Sequence, residues 1–143
     1  MFILSFDVGI KNLAYCYSNN HEIIKWDIID ISASTINDIT YKCFTQLEES
    51  VNTNDIQLVL IENQPVQKNP KMKSIQMLIF AYFMYKQVLI ETSNIENVKL
   101  ISACKKNTYM KQFDINIRKY STKYLENKKK SIECTKMILY NNF

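Results

Sequence analysis

The sequence predicts an α/β fold: a mixed five-stranded sheet, antiparallel through strands 1–3 and then parallel in strands 4 and 5, with helices on both faces. Three observations carry this. Residues 2–31 hold three runs with apolar side chains at alternate positions, broken by turn-forming residues. Residues 35–139 then alternate helical periods with short apolar runs. One of these runs, IQLVLI at residues 56–61, is continuously apolar, as befits a strand covered on both sides.

Residues 2–7 form the first strand, with Phe2, Leu4 and Phe6 on one face and Ile3, Ser5 and Asp7 on the other. A tight turn at VGIKN leads to the second strand, LAYCYS, and NNH leads to the third, EIIKWDIIDI, where Ile24, Trp26 and Ile28 share a side. TINDITYKCFTQLEESV is the first helix, since Ile36, Ile39, Cys43, Phe44 and Leu47 recur near a helical period and Ser34 or Thr35 can cap it. IQLVLI is the fourth strand. Asn69 and Pro70 make a cap and first-turn pair for a helix over KMKSIQMLIFAYFMYKQVLIET, which is apolar almost all round and therefore expected to be central and buried. NVKLISA is the fifth strand, a basic segment follows, and SIECTKMILY closes the chain as an amphipathic helix. The strand–helix–strand crossover makes the later strands parallel and stacks helices on the sheet.

With 143 residues, 47% hydrophobic content and a net charge of +4, the chain is expected to form a single domain over 1–143. Its 18 basic and 14 acidic residues permit a polyanionic partner without requiring one, so the position of the lysines must decide. Cys16, Cys43, Cys104 and Cys134 are scattered and His21 stands alone, which signals neither zinc nor a disulfide framework but buried thiols in a reducing compartment. The opening MFILSF has no basic leader, and MLIFAYFMY falls short of the roughly 20 apolar residues of a membrane span. The expected setting is intracellular, without a membrane. A lone glycine, Gly9, rules out the several-glycine phosphate cradles of P-loop, dinucleotide-binding and actin-like sites, hence no nucleotide cofactor.

Asp7 interrupts the first apolar run, where a buried carboxylate is costly unless a cation or hydrogen-bond donor meets it. Strand 1 is a natural neighbour of strand 4, so Asp7 and Glu62, just past strand 4, are expected to face each other. Two such acids suit a hard divalent cation, Mg²⁺ or Mn²⁺, and phosphodiester hydrolysis is the reaction that metal–carboxylate clusters most naturally serve. A plainer alternative stands beside this: Asp7 caps its own turn through the VGI amides, and Glu62 pairs with a lysine.

FDVGIKNLAYC, LIENQP, KNPKMKSIQMLIFAYF and NKKKSIECTKMIL together resemble the poxvirus and related viral Holliday junction resolvases, which are RuvC-like members of the RNase H superfamily. The resemblance implies an RNase H-like fold and a homodimeric, Mg²⁺-dependent endonuclease that cuts four-way DNA junctions. It matches Asp7 and Glu62 to the first two metal-binding acids and places the protein at viral replication sites in the host cytoplasm. The family completes its site with two aspartates on a final helix, beyond the part matched here. The domain is therefore expected to lack that acid-bearing helix. Of the late acids, Asp114 lies in the basic connector, while Glu126 and Glu133 flank or enter the last helix, and Glu133 is spaced to pair with Lys129 and Lys136.

Lys71 and Lys73 occupy the first turn of the central helix, where the macrodipole disfavours cations unless an anion arrives. Lys105, Lys106, Lys128, Lys129 and Lys130, with Lys111, Arg118, Lys119 and Lys123 between, form a basic stripe interleaved with Tyr109, Phe113, Tyr120 and Tyr124. Lysines so arranged neutralise a DNA backbone and read its shape rather than its bases. Lys11, after the Asp7 turn, is placed to touch a scissile phosphate. For the lysines the competing reading is a solvated surface, and for the tyrosines a place in the core. Surplus apolar surface on the central helix suits a two-fold dimer. Two functions remain open: the resolvase, and a domain that binds branched nucleic acid without cutting it. A nuclease acting on RNA or hybrids is a third.

Overall fold

The computed structural model describes residues 1–20, 22–67, 69–113, 115 and 121–142, in two units divided along the chain between Ile101 and Ser102. The first unit holds β1 (Ile3–Asp7), β2 (Leu13–Ser18), β3 (Ile23–Ile29), α1 (Ile36–Ser50), β4 (Leu58–Asn63), α2 (Pro70–Leu89) and all but the last residue of β5 (Asn97–Ser102). Its sheet runs in the order β3-β2-β1-β4-β5, with β1–β3 antiparallel and β1, β4 and β5 parallel. The backbone fixes the start of each parallel strand: Phe2 O accepts from Gln57 N and Leu58 N at 3.0 and 3.2 Å, and Gln57 O accepts from Glu96 N and Asn97 N at 2.9 and 3.2 Å.

The alternation in β1 sorts the sheet into two faces. Leu4 and Phe6 lie opposite Tyr17 and Tyr15 on one side and Val59 and Ile61 on the other. This face is covered by α1 through Ile39, Cys43 and Leu47 and by α2 through Ile75, Ile79 and Phe83. Phe6 anchors an aromatic chain, 6.2 Å from Tyr15 and 5.4 Å from Phe83. On the opposite face, Leu60, Ser5, Cys16 and Trp26 form one cross-strand row, and Asp7, Ala14 and Ile28 fall in the next.

Both helix starts use the expected caps. Thr35 Oγ1 accepts from Asp38 N at 3.1 Å and donates back to Asp38 Oδ2 at 2.7 Å. Asn69 Oδ1 accepts from Met72 N at 3.2 Å, with Pro70 in the first turn. Three expectations need correction. The α2 helix is not buried all round: Met77, Tyr85, Val88 and Leu89 are exposed, because only one side of the helix meets the sheet and α1. Strand β4 runs on to Asn63, so Glu62 lies within it rather than past it. Asp7 is exposed at the strand end, so its charge remains in water and no burial cost arises.

In the second unit, the basic segment opens with a further helix, α3 (Ala103–Met110), whose N-cap Ser102 accepts from Cys104 N at 3.3 Å. The last helix, α4 (Lys123–Asn142), starts eight residues before the apolar pattern at Ser131. Thr122 Oγ1 accepts from Leu125 N there at 3.3 Å. No helix among the described residues is long and apolar enough to cross a membrane.

Candidate functional site

Strands β1 and β4 pair in parallel with Phe6 opposite Ile61. The next residue on each is Asp7 and Glu62, so the two acids stand at the same end of neighbouring strands. Paired strands lie about 4.8 Å apart, and residues in register point to the same face. The structure thus places the two acids that the sequence singled out at adjacent strand ends, each one residue past the last β1–β4 pair. Among the described residues, the Asp7 carboxylate makes no hydrogen bond or ion pair, and in particular does not cap the Val8–Ile10 amides. Glu62 is half-buried and partnered.

The turn after Asp7 explains the lone glycine. Among the described residues none has positive φ, Gly9 included, so left-handed backbone is not the reason. A Cβ on Gly9 would sit 2.5 Å from the carbonyl oxygen of Asn12, which leaves no room for any side chain. Lys11, exposed in this turn, acts electrostatically on Asp30, whose carboxyl is held below its ordinary range chiefly by hydrogen bonds from Ser32.

On the other side of Glu62, the β4–α2 turn is tied by a polar network that the sequence reading missed. Gln76 is fully buried, and its Oε1 accepts from Gln64 N at 2.8 Å and from Lys73 Nζ at 3.0 Å. Lys73 Nζ also donates to Asn63 Oδ1 at 2.8 Å. Lys73 is therefore not a solvated surface lysine: one donor holds Asn63, the residue after Glu62, and a second holds Gln76, which itself accepts from Gln64 N. The available signal was a glutamine on the apolar face of α2, three residues after a lysine. Lys71 is exposed in the same helical turn.

The remaining candidate lysines lie in the second unit. Lys105, Lys128 and Lys129 are exposed, and Lys130 is half-buried with its Nζ 3.5 Å from Glu126. The side chain of Lys106 lies outside the described residues, as do Asp114, Arg118, Lys119, Tyr120 and the side chain of Tyr124. Glu133 pairs with Lys136 at 2.9 Å, as its spacing allowed. Tyr109 is exposed and meets Phe113 edge-on, with centroids 5.3 Å apart, rather than filling a core. Among the described residues no group of three or more His, Cys, Asp or Glu side chains is clustered to hold a metal ion.

Comparison with known proteins bears on this arrangement. The chain is similar in structure to the yeast mitochondrial Holliday junction resolvase Ydc2, with a TM-score of 0.55 and 19% identity over 77% of this chain and 56% of that one. The fold is resolvase-like. In sequence it is 37% identical over 93 residues to the uncharacterised protein L451 of Acanthamoeba polyphaga mimivirus. That match covers 60% of this chain and 22% of the relative, so the chain spans well under two thirds of either protein. No protein-family model matches.

Proposed function

We propose that this chain is a Holliday junction resolvase of the viral type, a divalent-metal-dependent endonuclease that cuts four-way DNA junctions during viral DNA recombination and replication in the host cytoplasm. The observation that carries the reading is the placement of Asp7 and Glu62 at one end of paired strands in a resolvase-like sheet. Their oxygens fit Mg²⁺, or Mn²⁺, which is commonly held by one or two carboxylates together with substrate phosphate. When bound there, such an ion neutralises the scissile phosphate and lowers the pKa of water.

The chain's own residues supply the rest. Asp7, exposed, and Glu62, backed by the Asn63–Lys73–Gln76 network, hold the ion at the strand ends. Lys11 faces the backbone beside them, Lys71 meets phosphate at the start of α2, and Lys105, Lys106, Lys128, Lys129 and Lys130 grip the junction arms by charge. Two symmetric cuts call for two copies, and the outward stripe of Met77, Tyr85 and Val88 on α2 is apolar surface suited to a two-fold contact.

One finding favours a second reading, a domain that binds branched DNA without cutting it: the described residues contain only a two-carboxylate pair and no larger acidic cluster. A labelled four-way junction with Mg²⁺ or Mn²⁺ separates the two. Paired cuts that vanish in Asp7→Asn and Glu62→Gln, with junction binding retained, are the expected result. No cleavage by the unaltered chain would favour the binder, and unchanged cleavage by both variants would remove these acids from the mechanism.

A further inference from the structure

The two units differ in charge. Ten of the 18 basic residues and three of the 14 acidic ones fall in Ser102–Phe143, a formal +7, which leaves −3 for Met1–Ile101. The basic unit also has a cavity of about 510 Å³. Its lining includes Met110, at the end of α3 and 9% exposed, and Phe113, whose ring meets Tyr109 edge-on. Lys111, Lys123 and Lys130 line it as well, with Asn127 between the last two along α4.

A lysine-rich patch that merely grips a backbone is expected to be convex and solvated. Here three lysines share a hollow with the apolar side chains of Met110, Phe113 and Ile115. Lys130 is partly neutralised by Glu126, but among the described residues neither Lys111 nor Lys123 has a carboxylate partner. Lys123 is moreover the first residue of α4, where a cation is unfavourable until an anion joins it.

We propose that this cavity holds one unpaired nucleotide of a DNA strand. The base lies against Phe113 and Met110 with its edge toward the Asn127 amide, and its flanking phosphates sit on Lys111 and Lys123. Aromatic stacking tolerates any base, so the site recognises unpairedness rather than sequence. A free nucleotide is a poorer occupant, because the lysines come from separate stretches, Lys111 after α3 and Lys123 and Lys130 on α4, and no glycine cradle focuses them on one phosphate cluster. The inference rests on the reading of the chain as a DNA-binding protein but not on cleavage.

The test uses the full chain in chelator, by fluorescence anisotropy, with three probes: a fully paired four-way junction, a short oligothymidylate, and an abasic oligomer of the same length and charge. The expected result is that oligothymidylate binds about tenfold more tightly than the abasic strand. Phe113→Ala should abolish that ratio, Phe113→Trp should preserve it, and neither should change junction binding. Lys111→Ala or Lys123→Ala should weaken both single strands and lower the salt slope by about 0.7 each. Equal affinity of the unaltered chain for the two single strands overturns the proposal without any variant having to fold. Junction binding with no such discrimination sinks the pocket and leaves the resolvase reading intact. Discrimination without junction binding does the reverse.

Discussion

Lys73 reaches back from the first turn of α2 to Asn63, the residue after Glu62, with Nζ 2.8 Å from Oδ1, and the same ammonium lies 3.0 Å from the buried Gln76 Oε1. A cation that sequence alone would assign to phosphate is thus occupied in fixing the end of β4. Gln76→Leu removes the acceptor for both Lys73 and the Gln64 amide, and leaving buried donors unmet costs about 1–3 kcal/mol. We expect a denaturant midpoint lowered by that amount with an unchanged slope, and a smaller loss for Lys73→Met. If the network positions Glu62, both variants should also raise the Mg²⁺ concentration needed for cleavage.

Gly9→Ala should be costly although the backbone at Gly9 is not left-handed. The new methyl would meet the Asn12 carbonyl oxygen at 2.5 Å, and backbone cannot give way as a side-chain tip can. Overpacking of this kind costs typically about 1–3 kcal/mol. The turn also sets Asp7, so thermal melting and junction cleavage should fall together while junction binding persists.

The ion pair between Lys86 on α2 and Glu48 on α1, 2.5 Å apart, makes stability depend on acid pH. Lys86 hydrogen-bonds the Glu48 carboxyl and holds it below its ordinary value of 4.5. A carboxyl depressed in the folded state stabilises above its unfolded pKa and loses that contribution as pH falls through the folded one. Glu48 is more than half exposed, so the pair contributes only about 0.2–1 kcal/mol. Melting temperatures of the unaltered chain and Glu48→Gln should differ by a constant amount at neutral pH, and the gap should close below about pH 4.5.

The thiols should separate by accessibility. Cys104 is exposed, contrary to the expectation that all four are buried, because it opens α3 on the side facing water. Cys43 is fully buried on the inner face of α1, which pushes its thiol up to about 12, and Cys134 is buried as well. A thiol reagent at neutral pH should label Cys104 rapidly and half-buried Cys16 slowly, whose thiol burial also raises. Cys43 and Cys134 should react only on unfolding. Rapid labelling of Cys43 would contradict the packing of α1 on the sheet.

What was legible in the sequence was local or topological. Period-two alternation located β1–β3, Thr35 and Asn69 announced their helices, and the meander followed by a strand–helix–strand unit made strand 1 a natural neighbour of strand 4, with Asp7 and Glu62 at the matching ends. Helix α3 was not legible because ACKKNTYM has no apolar stripe, and the first turns of α4, KYLENKKK, are mostly charged. The role of Lys73 was hidden for another reason: its partners lie ten residues back and three ahead, and only the path of the turn brings them together.

Strand β3 lies at the sheet border with Trp26 and Ile28 more than half exposed on one flank and Lys25 and Asp27 on the other. Two copies zippering antiparallel about Trp26 would set indole on indole and Lys25 against Asp27. Like charges would have repelled such a twin, as gatekeeper residues usually do. Here the register would attract instead, so lowering the salt would tighten such a pair rather than loosen it.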